Sequence, residues 1–191
     1  MTSGRRAELL ELAYAYVREH GLSDLSLRPL AAAIGSSPRV LLFLFESKDG
    51  LVKALLARAR AEELALLEGL PAAAGLPAAS EAVWRWLCAD AHRPLLRLWV
   101  EAYARSLADS SGPWSGFAAA TVADWLAVLA ASQPAATRDS REAVAERTAA
   151  LAVLRGALLD LLATGDIERT TAAVHRQLGT LRPATGQNAV P

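Results

Sequence analysis

A single cysteine, Cys88, stands among 191 residues. One thiol cannot close an intramolecular disulfide and leaves no thiolate-rich metal site. With no His–acid context around it, it reads as a buried, inert thiol. Net charge is lacking too, twenty Lys and Arg against twenty Asp and Glu, so no strong field commits the whole chain to a polyanion or a membrane. No stretch approaches about 20 uncharged apolar residues, and no membrane span is expected. The opening MTSGRRAELLELAYAYV is interrupted by Glu8 and Glu11, which breaks the apolar run a secretory signal needs. A cytoplasmic protein is the expectation. His20, His92 and His175 fall on separate predicted helices, with no Gly-rich phosphate loop and no carboxylate pair beside a nucleophile. An enzyme, a metal site and a cofactor are therefore not expected.

What is present is apolar and helical. The chain is 53% hydrophobic and 21% charged, with mean hydropathy +0.22, enough to bury a substantial core. The charge balance is uneven along the chain. Residues 1–60 hold nine Lys and Arg against six Asp and Glu, leaving eleven against fourteen for the remainder. The basic first third is a weak pointer to a polyanion.

Strand-like alternation is almost absent, and breakers fall at helical intervals. The stretch 5–21 sets Leu9, Leu10, Ala13, Tyr14 and Val17 on one stripe and stops at Gly21. The stretch 26–35 starts from Ser26 as N-cap, tolerates Pro29 in its first turn and stops at Gly35. Ser47 caps a longer helix running to Glu68, with Asp49 in its first turn. After a Pro- and Gly-rich break at 69–80, helices are predicted near 80–91, 94–109, 115–131, 138–164 and 167–181, the last two separated by Gly165 and Asp166. The fold class is all-α, about nine helices.

Between the early helices lies GSSPRVLLFLFESKDGL (35–51), with six apolar residues in a row from Val40 to Phe45. Ser37 followed by Pro38 is a helix-start signature, because proline's missing N–H has no partner there anyway. Leu41, Leu44 and Phe45 then share one face, while Leu42 and Phe43 point elsewhere. Over 27–46 the spacing is that of a helix-turn-helix. Ala31 sits where the helices cross, Gly35 supplies the turn and Leu41 plugs the shared core.

On these residues the N-terminal 55 positions resemble the DNA-binding domain of the TetR family of bacterial transcriptional repressors. The matching segments are HGLSDLSLRPLAAAIG, SPRVLLFLF and SKDGL, and LLDLLATGDIERTTAAVHRQL (158–178) resembles the family's last two helices. The resemblance implies a three-helix DNA-binding domain at 1–47, a helical ligand-binding and dimerisation domain at 48–183 and a flexible tail at 184–191. It also implies a homodimer on palindromic double-stranded DNA, released by a small-molecule effector. In the family such an effector tilts the fourth helix, and the recognition helices lose the spacing of about 34–36 Å between successive major grooves. The chain departs from the family's third helix in three places: Val40, Leu42 and Leu44 stand where Thr, Tyr and His are usual. After Gly35, Ser36 replaces an apolar residue.

The remaining candidates for DNA contact are an arm at Arg5 and Arg6, then Ser37, Pro38 and Arg39, and Lys48 beside the N–H groups opening the fourth helix. Leu42 and Phe43 are placed to touch thymine methyls. Four cationic groups per subunit give a log K against log salt slope of roughly −7 for a dimer.

All five tryptophans lie beyond residue 83. Trp84, Cys88, His92, Trp99, Tyr103, Trp114, Phe117 and Trp125 are the candidate lining of an apolar effector pocket, accompanied by Asp90, Glu101 and Arg105. An apolar or aromatic effector is expected. Val144, Leu151, Leu154, Leu158 and Leu161 recur at near-heptad spacing beside Ala143, Ala150 and Ala157, and Val174, Leu178 and Leu181 continue a stripe on the last helix. These are the candidate dimer interface, with an intramolecular core as the alternative. The competing functional reading is a helical ligand-binding or protein-interaction dimer that has lost operator binding.

Overall fold

The computed structural model describes residues 2–22, 24–69, 75–109 and 111–180. Leu181, the tail 184–191 and residues 70–74 of the expected break lie outside them. Among the described residues the chain forms nine α-helices, two one-turn 3-10 helices and no strand. It divides into two compact units, Met1–Leu66 with Pro94–Val122, and Leu67–Arg93 with Ala123–Pro191. The division expected at 47/48 is therefore not where the compact units part.

The first unit contains α1 (Thr2–His20), α2 (Leu27–Ala33), α3 (Pro38–Phe45), most of α4 (Lys48–Glu68) and all but the first residue of α6 (Arg93–Ala108). Leu9, Val17, Leu30, Leu41, Leu51, Leu55 and Leu96 are its largest fully buried side chains among the described residues, each worth about 1.5–3 kcal/mol against leaving the side chain in water. Gly21 ends α1 in the left-handed conformation (φ 79°), its N–H donating to the Val17 carbonyl at 2.8 Å. The next residue, Leu22, gives its N–H to Glu101 Oε2 at 2.9 Å, fastening the end of α1 to α6.

A charged lattice joins α1 to α4, which is why α4 belongs with the first three helices. Arg58 donates to Glu11 at 2.7 Å and to Glu62 at 3.1 Å, and Arg18 reaches Glu62 at 3.4 Å. Both guanidinium groups lie over the Tyr14 ring, at 4.8 Å for Arg58 and 5.9 Å for Arg18. Burial, then the charge of Glu62, pushes the Tyr14 phenol well above its usual range, so it stays neutral.

The second unit contains α5 (Leu76–Cys88), the later part of α7 (Phe117–Ala131), α8 (Arg141–Thr164) and α9 (Ile167–Leu178). α8 packs against both α5 and α9, and α5 against α9. Ser140 caps α8 by accepting from the Ala143 N–H at 3.2 Å. Gly165 (φ 72°) ends it and Asp166 starts α9 by accepting from the Arg169 N–H at 3.0 Å. Arg169 also bonds Asp160 at 2.7 Å, which holds that carboxyl below the usual carboxylate range.

This packing corrects the dimer reading. Leu151, Leu154, Leu158, Leu161, Val174 and Leu178 are all buried within the chain, so they hold α8 and α9 in their own core and offer nothing to a second copy. Val144 alone of that set is exposed. Heptad spacing marks a buried face without saying which helix covers it. The solvent-facing stripe of α8 is a different one: Ala145, Ala149, Ala152, Gly156, Leu159 and Ala163, all exposed.

One stretch, Gly112–Ala131, is long and apolar enough to count as a membrane-span candidate, with mean hydropathy 1.3. Gly116, at φ 75°, interrupts it. The helix proper is the 15 residues of α7, about 22 Å long against the roughly 30 Å of a bilayer core.

Candidate functional site

The turn between α2 and α3 is built from small residues. Ala31 is buried, and its carbonyl accepts the Ser36 N–H at 2.8 Å while Gly35 takes φ 63°. The two helices meet at 102°, within the range of a helix-turn-helix. Ser37 caps α3, its Oγ accepting from the Val40 N–H at 3.3 Å. Leu41 and Phe45 are buried and hold the back of α3, whereas Leu44, expected with them, is only half-buried. The front carries Arg39, Val40, Leu42 and Phe43, all exposed. Phe43 is the extreme case, with 76% of its surface open. Pro38 is half-buried at the start of this edge.

Two expected contacts have other partners. Arg5 and Arg6 are not an arm, because α1 already begins at Thr2. Arg5 pairs with Glu8 at 2.8 Å. Arg6 donates from Nε to the Leu44 carbonyl at 3.2 Å, and its guanidinium lies 4.9 Å above the Phe45 ring. It therefore caps the C-terminal end of α3, a favourable place for a cation.

α4 starts directly behind α3. Its first residue, Lys48, is exposed, and Ser47 Oγ accepts the Gly50 N–H at 2.9 Å, so that donor is not open to a phosphate. The linking residue Glu46 sits at φ 68°, a conformation that is uncommon outside glycine.

The eight aromatic-pocket candidates fall four to each unit. In the second, Trp84 Nε1 donates to Thr171 Oγ1 at 3.0 Å. Cys88, half-buried nearby on α5, has its thiol pushed up by burial. Trp86, which was not among the candidates, stacks on His92 at 4.5 Å and meets Trp125 edge-on at 6.2 Å. His92 Nδ1 lies 2.8 Å from the Trp86 carbonyl, which assigns its proton to that nitrogen. In the first unit, Trp99 stacks on Tyr103 at 4.9 Å, and Arg105 stands 5.7 Å from the Trp114 ring. All five tryptophans are buried. Large aromatic side chains bury much of their area in such places.

A groove of about 300 Å³ lies in the first unit between α4 and the segment opening α7. Of the eight candidates only Phe117 lines it; its other walls include Lys53, Leu56, Ala57, Arg60 and Ala120. The two cations were missed. Their i, i+7 spacing with Leu56 and Ala57 between them is visible in KALLARAR (53–60), but the opposite wall is some 55 residues further along the chain.

Neither a family model nor a curated protein matches the sequence. Solved structures do match. The multidrug-binding protein EbrR complexed with imidazole is 26% identical, with TM-score 0.70 over 95% of this chain and 93% of that one. A transcriptional regulator from Rhodococcus sp. Rha1 is 20% identical, with TM-score 0.70 over 91% of this chain and 94% of its own. A TetR transcription regulator from Haloarcula marismortui ATCC 43049 is 17% identical, with TM-score 0.64 over 92% and 96%. From the helix-turn-helix through the last helix pair, the chain has the fold of the TetR-family transcriptional regulators.

Proposed function

We propose that the chain is a ligand-responsive transcriptional regulator that binds a palindromic operator as a homodimer, acting as a repressor in the cytoplasm. The observation that carries this is the two-sidedness of α3: its back is locked by Leu41 and Phe45, and its front is open to solvent. A short helix held so can enter a major groove about 12 Å wide. Arg39 and Lys48 meet phosphates, while Val40, Leu42 and Phe43 contact the C5-methyl groups of thymine, the one apolar mark on a base edge. Two copies associate through the exposed small-residue stripe of α8, whose Leu159, together with Ile167 on α9, leaves half its surface open. Small residues there permit close helix approach.

EbrR has been seen with imidazole and with proflavin, and an effector that releases this chain from DNA is part of the same reading. Selection of bound sequences from random duplexes, followed by gel shift with the winning sequence, tests it. Recovery of a two-fold symmetric site supports the proposal, and failure to enrich any sequence refutes it.

The second reading, a dimer that no longer binds DNA, is favoured by Leu42 and Leu44 where the family carries polar anchors. The same selection separates the two.

A further inference from the structure

We infer that the groove between α4 and the opening of α7 is a binding site for an amphipathic organic anion, an aromatic or aliphatic body carrying one carboxylate. Its volume of about 300 Å³ is at the small end for ligand sites. Lys53 and Arg60 lie two helical turns apart on α4, roughly 10 Å along the axis. Between them lie buried Leu56 as the floor and exposed Ala57 at the lip, with Phe117 and Ala120 also lining the groove.

Charge decides the class of ligand. No carboxylate is among the groove's lining residues. Lys53 is exposed and makes no ion pair among the described residues. Asp109, ahead of the turn that enters α7, is engaged by the Ser111 N–H at 2.9 Å and the Ser111 hydroxyl at 2.6 Å. The positive end of α7 opens at Phe117, which adds to the same sign. An apolar floor beside the Lys53 ammonium and the opening of α7 suits an anion with an apolar body and repels an aromatic cation of equal size.

Position supplies the consequence. Two residues separate the end of α3 from the start of α4, so a ligand bridging α4 to residues 113–120 acts on the helix that follows the α3 front. This regulatory part rests on the DNA-binding reading; the site itself does not.

Three ligands of matched shape test the site on the full chain by calorimetric titration: 2-naphthoate, 2-naphthylmethanol and 2-naphthylmethylamine. The expected order is carboxylate tightest, at least about tenfold over the alcohol, with the amine weakest. Lys53→Glu, on an exposed side chain, should cost the carboxylate about tenfold or more and leave the alcohol unchanged. Ala57→Trp, which fills the groove from its exposed lip, should abolish binding of all three. Circular dichroism melts confirm that each variant is folded. Equal affinity for carboxylate and alcohol, no binding of any of the three, or indifference to Lys53→Glu overturns the proposal. Should naphthoate bind as expected while no duplex is ever selected, the regulator reading fails and the site stands. Should DNA bind and naphthoate not, the reverse holds.

Discussion

Gly50 and the Phe45 carbonyl are packed so closely that a Cβ at position 50 would overlap the oxygen. Gly50 is helical, without the positive φ that often explains a glycine; it is required because the first turn of α4 lies on the last carbonyl of α3. A methyl there has to push α3 and α4 apart. Gly50→Ala is therefore expected to cost about 2 kcal/mol or more, a fall of roughly 5 °C in a thermal melt, and to weaken DNA binding beyond what the melt alone explains. A melt that coincides with the parent's would refute the constraint.

Salt dependence distinguishes free cations from occupied ones. Arg5 and Arg6 have partners within the first unit, leaving Arg39 and Lys48 of the four candidate cations for phosphate. A dimer then neutralises four phosphates, and log K should fall with log salt at a slope of about −4. Titrating affinity across a range of salt measures it. A slope near −7 would mean that Arg5 and Arg6 leave their helix partners on binding.

Replacing thymine by deoxyuridine removes only the C5-methyl. At base pairs under Phe43 this should weaken binding by about 0.8 kcal/mol per site, roughly fourfold. Because Phe43 is solvent-exposed, Phe43→Ala should alter folding stability by no more than about 0.5 kcal/mol while erasing the thymine preference. Fluorescence anisotropy with paired duplexes reads both; an unchanged preference in Phe43→Ala assigns methyl contact elsewhere.

The two faces of α8 make opposite forecasts. A Cβ at Gly156 meets nothing within 4 Å inside the chain, so Gly156→Leu should leave each subunit folded but turn a dimer into a monomer in sedimentation. Leu154 is fully buried, and Leu154→Ala should cost about 3 kcal/mol of stability. Swapped outcomes would restore the heptad face as the interface.

Burial raises the Cys88 thiol, so at any pH below its shifted value the native chain holds less thiolate than the unfolded chain. Alkylation by iodoacetamide at pH 8 should be slower for native than for urea-unfolded protein, the gap narrowing as pH rises further. Equal rates would mark Cys88 as an open, reactive thiol.

Local grammar was readable where cause and effect lie within one turn. Ser37 and Pro38 start α3, Gly21 stops α1, and Gly165 with Asp166 separates α8 from α9, each as their neighbours dictate. What escaped needed a partner far along the chain. Arg6 reads as a free cation until Leu44, 38 residues later, supplies its acceptor. The leucines of α8 announce a buried face, yet only the arrangement of α5 and α9 reveals that it is covered from within. Tryptophan counts mark buried aromatic surface, but that Trp86 meets Trp125, 39 positions on, takes the packing of α5 and α7 to reveal. The groove beside Lys53 needs both α4 and the α7 segment before it exists at all.

The cage around Tyr14 bears on how any signal reaches the DNA. With Arg18 and Arg58 on its ring and Glu11 and Glu62 closing the circuit, pivoting α4 on α1 breaks several charged contacts at once. A turn of α4 that keeps these contacts has to carry α1 with it.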